Sequence, residues 1–147
     1  MPQIEAVYEE LPEFIDLADK LISKFPEEFA NIDIARIACV AITNKKRGDK
    51  KRNLWELRSI RPPISLFCQK EYIVVFYSHD WEEMNEKQHS LIAADVLCSI
   101  PPNGKGAIIP MDYKDHSKML RTFGVDYIDI PENKMPDILK DNIDWKK

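Results

Sequence analysis

Glycine is scarce in this sequence, with four in 147 residues. Loops that cradle phosphate with successive backbone N–H groups are built on glycine, so a nucleotide-binding loop is a poor expectation. The stretch Asn103-Gly104-Lys105-Gly106-Ala107 lacks the P-loop spacing and its Ser or Thr. Cysteine is scarce too. Cys39, Cys68 and Cys98 are far apart, odd in number and set in apolar sequence. With no C-x-x-C pair, a zinc ribbon and a thioredoxin-type site are excluded. The expectation is buried free thiols in a reducing compartment. A G-x-S-x-G elbow is absent, so the α/β-hydrolase nucleophile has no support. No apolar run reaches the ~18 residues that a membrane helix needs. Residues 1–5 are acidic where a signal peptide would be basic and then apolar. These absences predict a cytoplasmic protein with no membrane association. No repeat or low-complexity segment is visible.

What is there is an ordinary single-domain composition. Apolar residues make up 44% and aromatics 10%, enough for a core, and the whole chain, 1–147, is expected to form one domain. A net charge of -4 gives no general affinity for nucleic acid or anionic membrane.

The hydrophobic pattern predicts a helix over residues 12–30, with Phe14, Leu17, Ala18, Leu21, Ile22 and Phe25 on one stripe. Pro12 suits its first turn, and Pro26 ends or kinks it. Residues 35–46 hold a central strand and residues 53–60 a second one. Residues 72–78, Y-I-V-V-F-Y-S, are a third, built of strong β-formers. A helical turn or two is expected near Ile64. After a polar turn, Asn85 caps a helix, with Gln88 completing a capping box, and Pro101-Pro102 stop it. Residues 112–124 read as another helix closed by Gly124. The tail holds a short helix near Met135. Without βαβ alternation, this order predicts an α+β fold, with a small mixed or antiparallel sheet of three to four strands packed against helices.

Four pieces carry a family resemblance: the opening helix leading into A-R-I-A-C-V-A-I-T-N-K-K, the edge-type strand Y-I-V-V-F-Y-S-H-D-W-E-E-M, the helix K-Q-H-S-L-I-A-A-D-V-L-C-S-I, and the segment D-Y-K-D-H-S-K-M-L-R-T-F-G-V-D-Y. Together they cover roughly residues 12–127, and they resemble the zincin-like putative phage metallopeptidases, proteins of phage or prophage. The resemblance implies a zincin-like domain. In active members the helix carries H-E-x-x-H, two zinc-binding histidines one turn apart with a general-base glutamate between them. Laid on this chain, those positions are Ala94, Asp95 and Cys98. Alanine offers no donor, aspartate is one methylene shorter than glutamate, and cysteine lacks its partner. A misplacement of ~1 Å can cost about a hundredfold in rate. The resemblance therefore implies a degenerate metallopeptidase, with Ala94, Asp95 and Cys98 as vestigial catalytic positions, that binds no cofactor and acts by binding an unidentified protein.

Two alternatives stand beside it. Asp95 and Cys98 lie at i and i+3, and His116, taking the third-ligand role by resemblance, would complete an Asp/Cys/His zinc site for a metal-dependent hydrolase. The other is nucleic-acid binding through the basic loop at residues 45–52. There Lys45, Lys46, Arg47, Lys50, Lys51 and Arg52 would contact phosphates and Trp55 would stack on a base. His79 and His89 read as solvated surface residues.

Overall fold

The computed structural model describes residues 5–29, 32–48, 54–101, 117–124 and 126–146. Four strands form one sheet: β1 (Tyr8–Glu10), β2 (Ile37–Ile42), β3 (Trp55–Ser59) and β4 (Tyr72–Tyr77). Their order across the sheet is β1-β2-β4-β3. β1 runs antiparallel to β2, β2 parallel to β4, and β3 antiparallel to β4. The described α-helices are α1 (Pro12–Lys24), α2 (Ser78–Glu83), α3 (Glu86–Cys98) and α4 (Ser117–Phe123), and single 3-10 turns lie at Ile34–Arg36, Ile64–Leu66, where a helical turn was expected, and Tyr127–Asp129. This is the expected α+β fold, with a mixed sheet.

The register decides which side chains build the core. Ile37, Cys39 and Ala41 on β2 stand beside Tyr72, Val74 and Phe76 on β4. All six are buried. Trp55 and Leu57 extend that face onto β3. The alternation of period two makes it one continuous apolar surface. Phe14, Ala18 and Leu21 of α1 close against it, each with no exposed surface. Burying a Phe or Leu fully is worth roughly 1.5–3 kcal/mol. Phe14, Phe76 and Trp81 form the aromatic centre, with ring centroids 4.9–6.5 Å apart.

Several expectations are corrected. The 72–78 strand is central, flanked by β2 and β3, whereas its sequence was read as edge-type. The reading omitted β1. The opening helix ends at Lys24, because Pro26 cannot continue it. The polar run after β4 contains α2, a helix rather than a turn. The tail forms turns instead of a helix near Met135. There Asp137 accepts from the N–H groups of Leu139 and Lys140 and Asp141 accepts from that of Asp137, local bonds that compete with helix formation. The expected 112–124 helix is seen as α4. Gly124, with φ +92°, donates to the Leu120 carbonyl as its C-terminal stop. Residues 112–116 lie outside the described residues.

Candidate functional site

The helix that carries the family pattern is built as its sequence predicts. Asn85 accepts from the Gln88 N–H at 2.9 Å, and the Gln88 side chain accepts from the Asn85 N–H at 2.9 Å, a reciprocal capping box. Gln88 also donates to the Ile128 carbonyl at 2.7 Å, which ties the helix start to the C-terminal segment.

Every residue from Ser90 to Leu97 is buried. A helix apolar on all sides is an interior helix. α1 packs along one flank, while Met119, Tyr127, Met135 and Ile138 belong to the same buried cluster. Ala94 is 0% exposed and Asp95 1%. Cys98 is half-buried at the helix end. Burial pushes its thiol up to about 12, with the Asp95 carboxylate adding to the rise. Lys118 of α4 lowers it and Glu28 raises it again, so four ionisable side chains share this end of α3. The Lys118 ammonium meets Glu28 at 2.7 Å and lies 5.9 Å from the Phe29 ring centre and 5.7 Å from that of Trp145.

Among the described residues no three His, Cys, Asp or Glu side chains are grouped to hold a metal ion. Asp95 and Cys98 share one end of the helix, and His116 lies outside the described residues. The sequence reading did not single out Lys118 or Glu28. The available signal was charge next to an apolar stripe: Glu28 just before Phe29, and Lys118 just before Met119.

His89 is not solvated as expected. Its ring stacks on Trp81 at 3.9 Å with a 7° interplanar angle, and its Nε2 lies 2.7 Å from the Trp81 carbonyl oxygen. Trp81 Nε1 donates to Glu13 at 3.1 Å. These groups border a cavity of about 280 Å³ beside β1, lined also by Glu9, Glu10 and Glu82. His79 pairs with Glu83 across one turn of α2.

Of the basic loop, Lys45 and Lys46 are exposed. Arg47 is paired with Asp80 at 2.8 Å. Trp55 sits on the core side of β3 and packs against the core. Lys50, Lys51 and Arg52 lie outside the described residues. No described helix is long and apolar enough to cross a membrane.

The thiols give a measurable signature. The raised Cys98 pKa means that the folded state favours the neutral thiol. Its contribution to stability is fully present below the ordinary value of 9.0 and is lost as pH rises from there toward about 12. Cys39 is shifted in the same direction by burial. At pH 10 the wild type should have lost about 1 kcal/mol more stability than Cys98→Ala, relative to pH 8. Parallel urea-unfolding curves at the two pH values read the difference. Identical pH dependence would show that the thiol is not held neutral by the fold.

The described residues thus form a small mixed sheet with a buried, box-capped helix packed against α1. The family model for putative phage metallopeptidases matches residues 6–141. The chain belongs to that family and is a metallopeptidase-like phage protein. No curated protein and no solved structure matches it.

Proposed function

We propose that this protein is a catalytically degenerate member of the phage metallopeptidase family and acts by binding another macromolecule, a protein. The observation that carries the reading is the burial of the motif positions. Ala94 and Asp95, where the resemblance puts a zinc ligand and the general base, are enclosed in the core. A hydrolytic centre needs its ligands and water at a cleft that substrate can enter. The motif positions themselves offer zinc few donors. Ala94 has no donor atom. Cys98 lacks a second ligand one turn away on the helix, where the family pattern has a histidine and this chain has Ala94. The nearby Lys118 ammonium opposes a dication electrostatically.

The test is elemental analysis of the protein purified without added metal. The expected result is zinc well below one equivalent, with no change in thermal unfolding on adding a chelator. Stoichiometric zinc that disappears in Cys98→Ala or His116→Ala would overturn the reading in favour of a rearranged Asp/Cys/His hydrolase. Salt-sensitive nucleic-acid binding abolished by neutralising Lys45, Lys46, Lys50 and Lys51 would instead identify the macromolecule as nucleic acid.

A further inference from the structure

The indole of Trp145 enters a cage of three aromatic side chains, Phe25, Phe29 and Phe123, from a segment with little other hold on the domain. We propose that this cage is a peptide-recognition site. In the isolated chain its own tail fills it, and the protein partner presents an indole to it on a short extended segment. Such a site rests on the protein-binding reading above, but peptide binding decides it, whereas zinc content decides the degeneracy of α3.

The cage belongs to the body of the domain. Phe25 closes α1, its N–H donating to the Leu21 carbonyl at 2.9 Å, and the Phe29 N–H donates to the Phe25 carbonyl at 3.1 Å. Phe29 is 2% exposed and part of the core. Phe123 is the last residue of α4. These backbone bonds and core contacts hold the rings in place without help from the tail. The three rings stand at 86–87° to the indole, with centroids 5.3, 5.8 and 5.6 Å from it. Edge-to-face is an arrangement that aromatic quadrupoles favour. The Lys118 ammonium adds a cation 5.7 Å from the indole centre. All four cage residues lie within residues 6–141, the span that the family model matches, and Trp145 lies beyond it.

The plug is held differently. Lys24 Nζ donates to the carbonyls of Ile138 and Asp141, at 2.9 and 2.5 Å, which anchors the chain as far as Asp141. Residues 142–146 form no helix or strand, and Asn142, Asp144 and Lys146 are exposed. The Lys146 N–H fastens this segment at its far end, donating to the Thr122 hydroxyl at 3.0 Å. The indole N–H is buried and meets no acceptor. An N–H taken out of water without a partner opposes docking, so ring packing carries the attachment. Segments with exposed backbone and few bonds open most readily.

What the cage holds now defines what it recognises: one indole, on an extended chain whose neighbouring residues stay in water. A single aromatic anchor in a preformed pocket is the usual centre of a peptide interface. A partner segment that carries the same ring and fastens its backbone at more points than the tail does would displace Trp145. The tail therefore acts as a built-in competitor and sets the affinity that a partner must exceed.

The probe is a fluorescein-labelled peptide with the sequence of residues 139–147, titrated into the full chain and followed by fluorescence anisotropy. Wild type should bind it weakly, because the tail competes. Trp145→Ala, which empties the cage, should bind it at least about tenfold more tightly. Thr122→Val removes the acceptor of the Lys146 N–H and leaves the rings in place, and should bind it severalfold more tightly. A peptide with alanine in place of the tryptophan should bind none of these proteins. Phenylalanine there should restore binding, since its ring needs no acceptor. Equal affinity for wild type and both variants, each with native circular dichroism, would overturn the proposal. So would N-acetyl-tryptophanamide binding as tightly as the peptide, since the cage would then have no preference for a protein segment. Full-chain dimers in sedimentation velocity that vanish in Trp145→Ala would overturn the separate partner in favour of tail exchange between copies.

Discussion

Ala94→His, the first step toward restoring the family motif, should destabilise the protein by about 2–6 kcal/mol. Ala94 has no exposed surface and sits among Leu91, Ile92, Val96 and Leu97, all buried. An imidazole there must displace packed side chains, which costs roughly 1–3 kcal/mol. Its ring N–H also enters an apolar interior, which costs roughly another 1–3 kcal/mol if no partner is found. The urea midpoint reads the loss directly. Ala94→Ser, adding only a hydroxyl that can bond back to the helix, should cost far less. An Ala94→His protein as stable as wild type would mean that this face of α3 borders open space. If added zinc returned that variant to wild-type stability, Asp95 and Cys98 would belong to a dormant metal centre, and the degenerate reading would fall.

The elements with strong local chemistry were legible in the sequence. β4 is six consecutive strong β-formers, and α3 begins at a capping box written in Asn85 and Gln88. Those signals are local, so tertiary context had little to add. β1 was invisible because three exposed residues carry no apolar pattern. Its pairing comes from β2, and the Val7 N–H is held by the Asn44 side chain at 2.8 Å. α2 was missed because its six residues are polar except Trp81, whose docking against Phe14 and Phe76 fixes it. The position of β4 within the sheet was misread because a fully apolar strand does not say how many neighbours it has.

The site was legible at one end only. The sequence placed Ala94, Asp95 and Cys98 on one helix, and the helix is there. It could not show that the helix is buried on every side, since that depends on what α1 and the C-terminal segment cover. The expectation of a solvated His89 failed for the same reason. Its stacking partner Trp81 is eight positions away, across the junction between two helices. The partnership of Glu28 with Lys118 spans 90 positions. No periodicity argument reaches that far.

That long-range pair makes the second large prediction. Lys118→Met should cost about 2 kcal/mol although methionine keeps most of the apolar stem. The Lys118 and Glu28 side chains are 28% and 12% exposed, so the pair is largely out of water. Breaking a buried pair by deleting one partner typically costs 3–5 kcal/mol, and the residual exposure of the lysine reduces that figure. The lost ammonium also gives up its contacts with Phe29 and Trp145. Glu28→Gln in the Lys118→Met background should recover part of the loss, because the stranded charge is then gone. A double-mutant cycle would give the coupling, expected at about 1–2 kcal/mol. A second readout comes from α3. Lys118 lowers the Cys98 pKa, so removing it should raise that pKa and slow alkylation of Cys98 at alkaline pH relative to wild type. Alkylation that speeds up in step with the loss of stability would instead mean that Lys118→Met merely opens the structure. A coupling energy near zero would mean that Lys118 packs here as an apolar stem, with its charge unused. If both expected results appear together, Lys118 acts as an electrostatic clamp across the C-terminal end of α3, joining α4 to the Phe29 and Trp145 cluster.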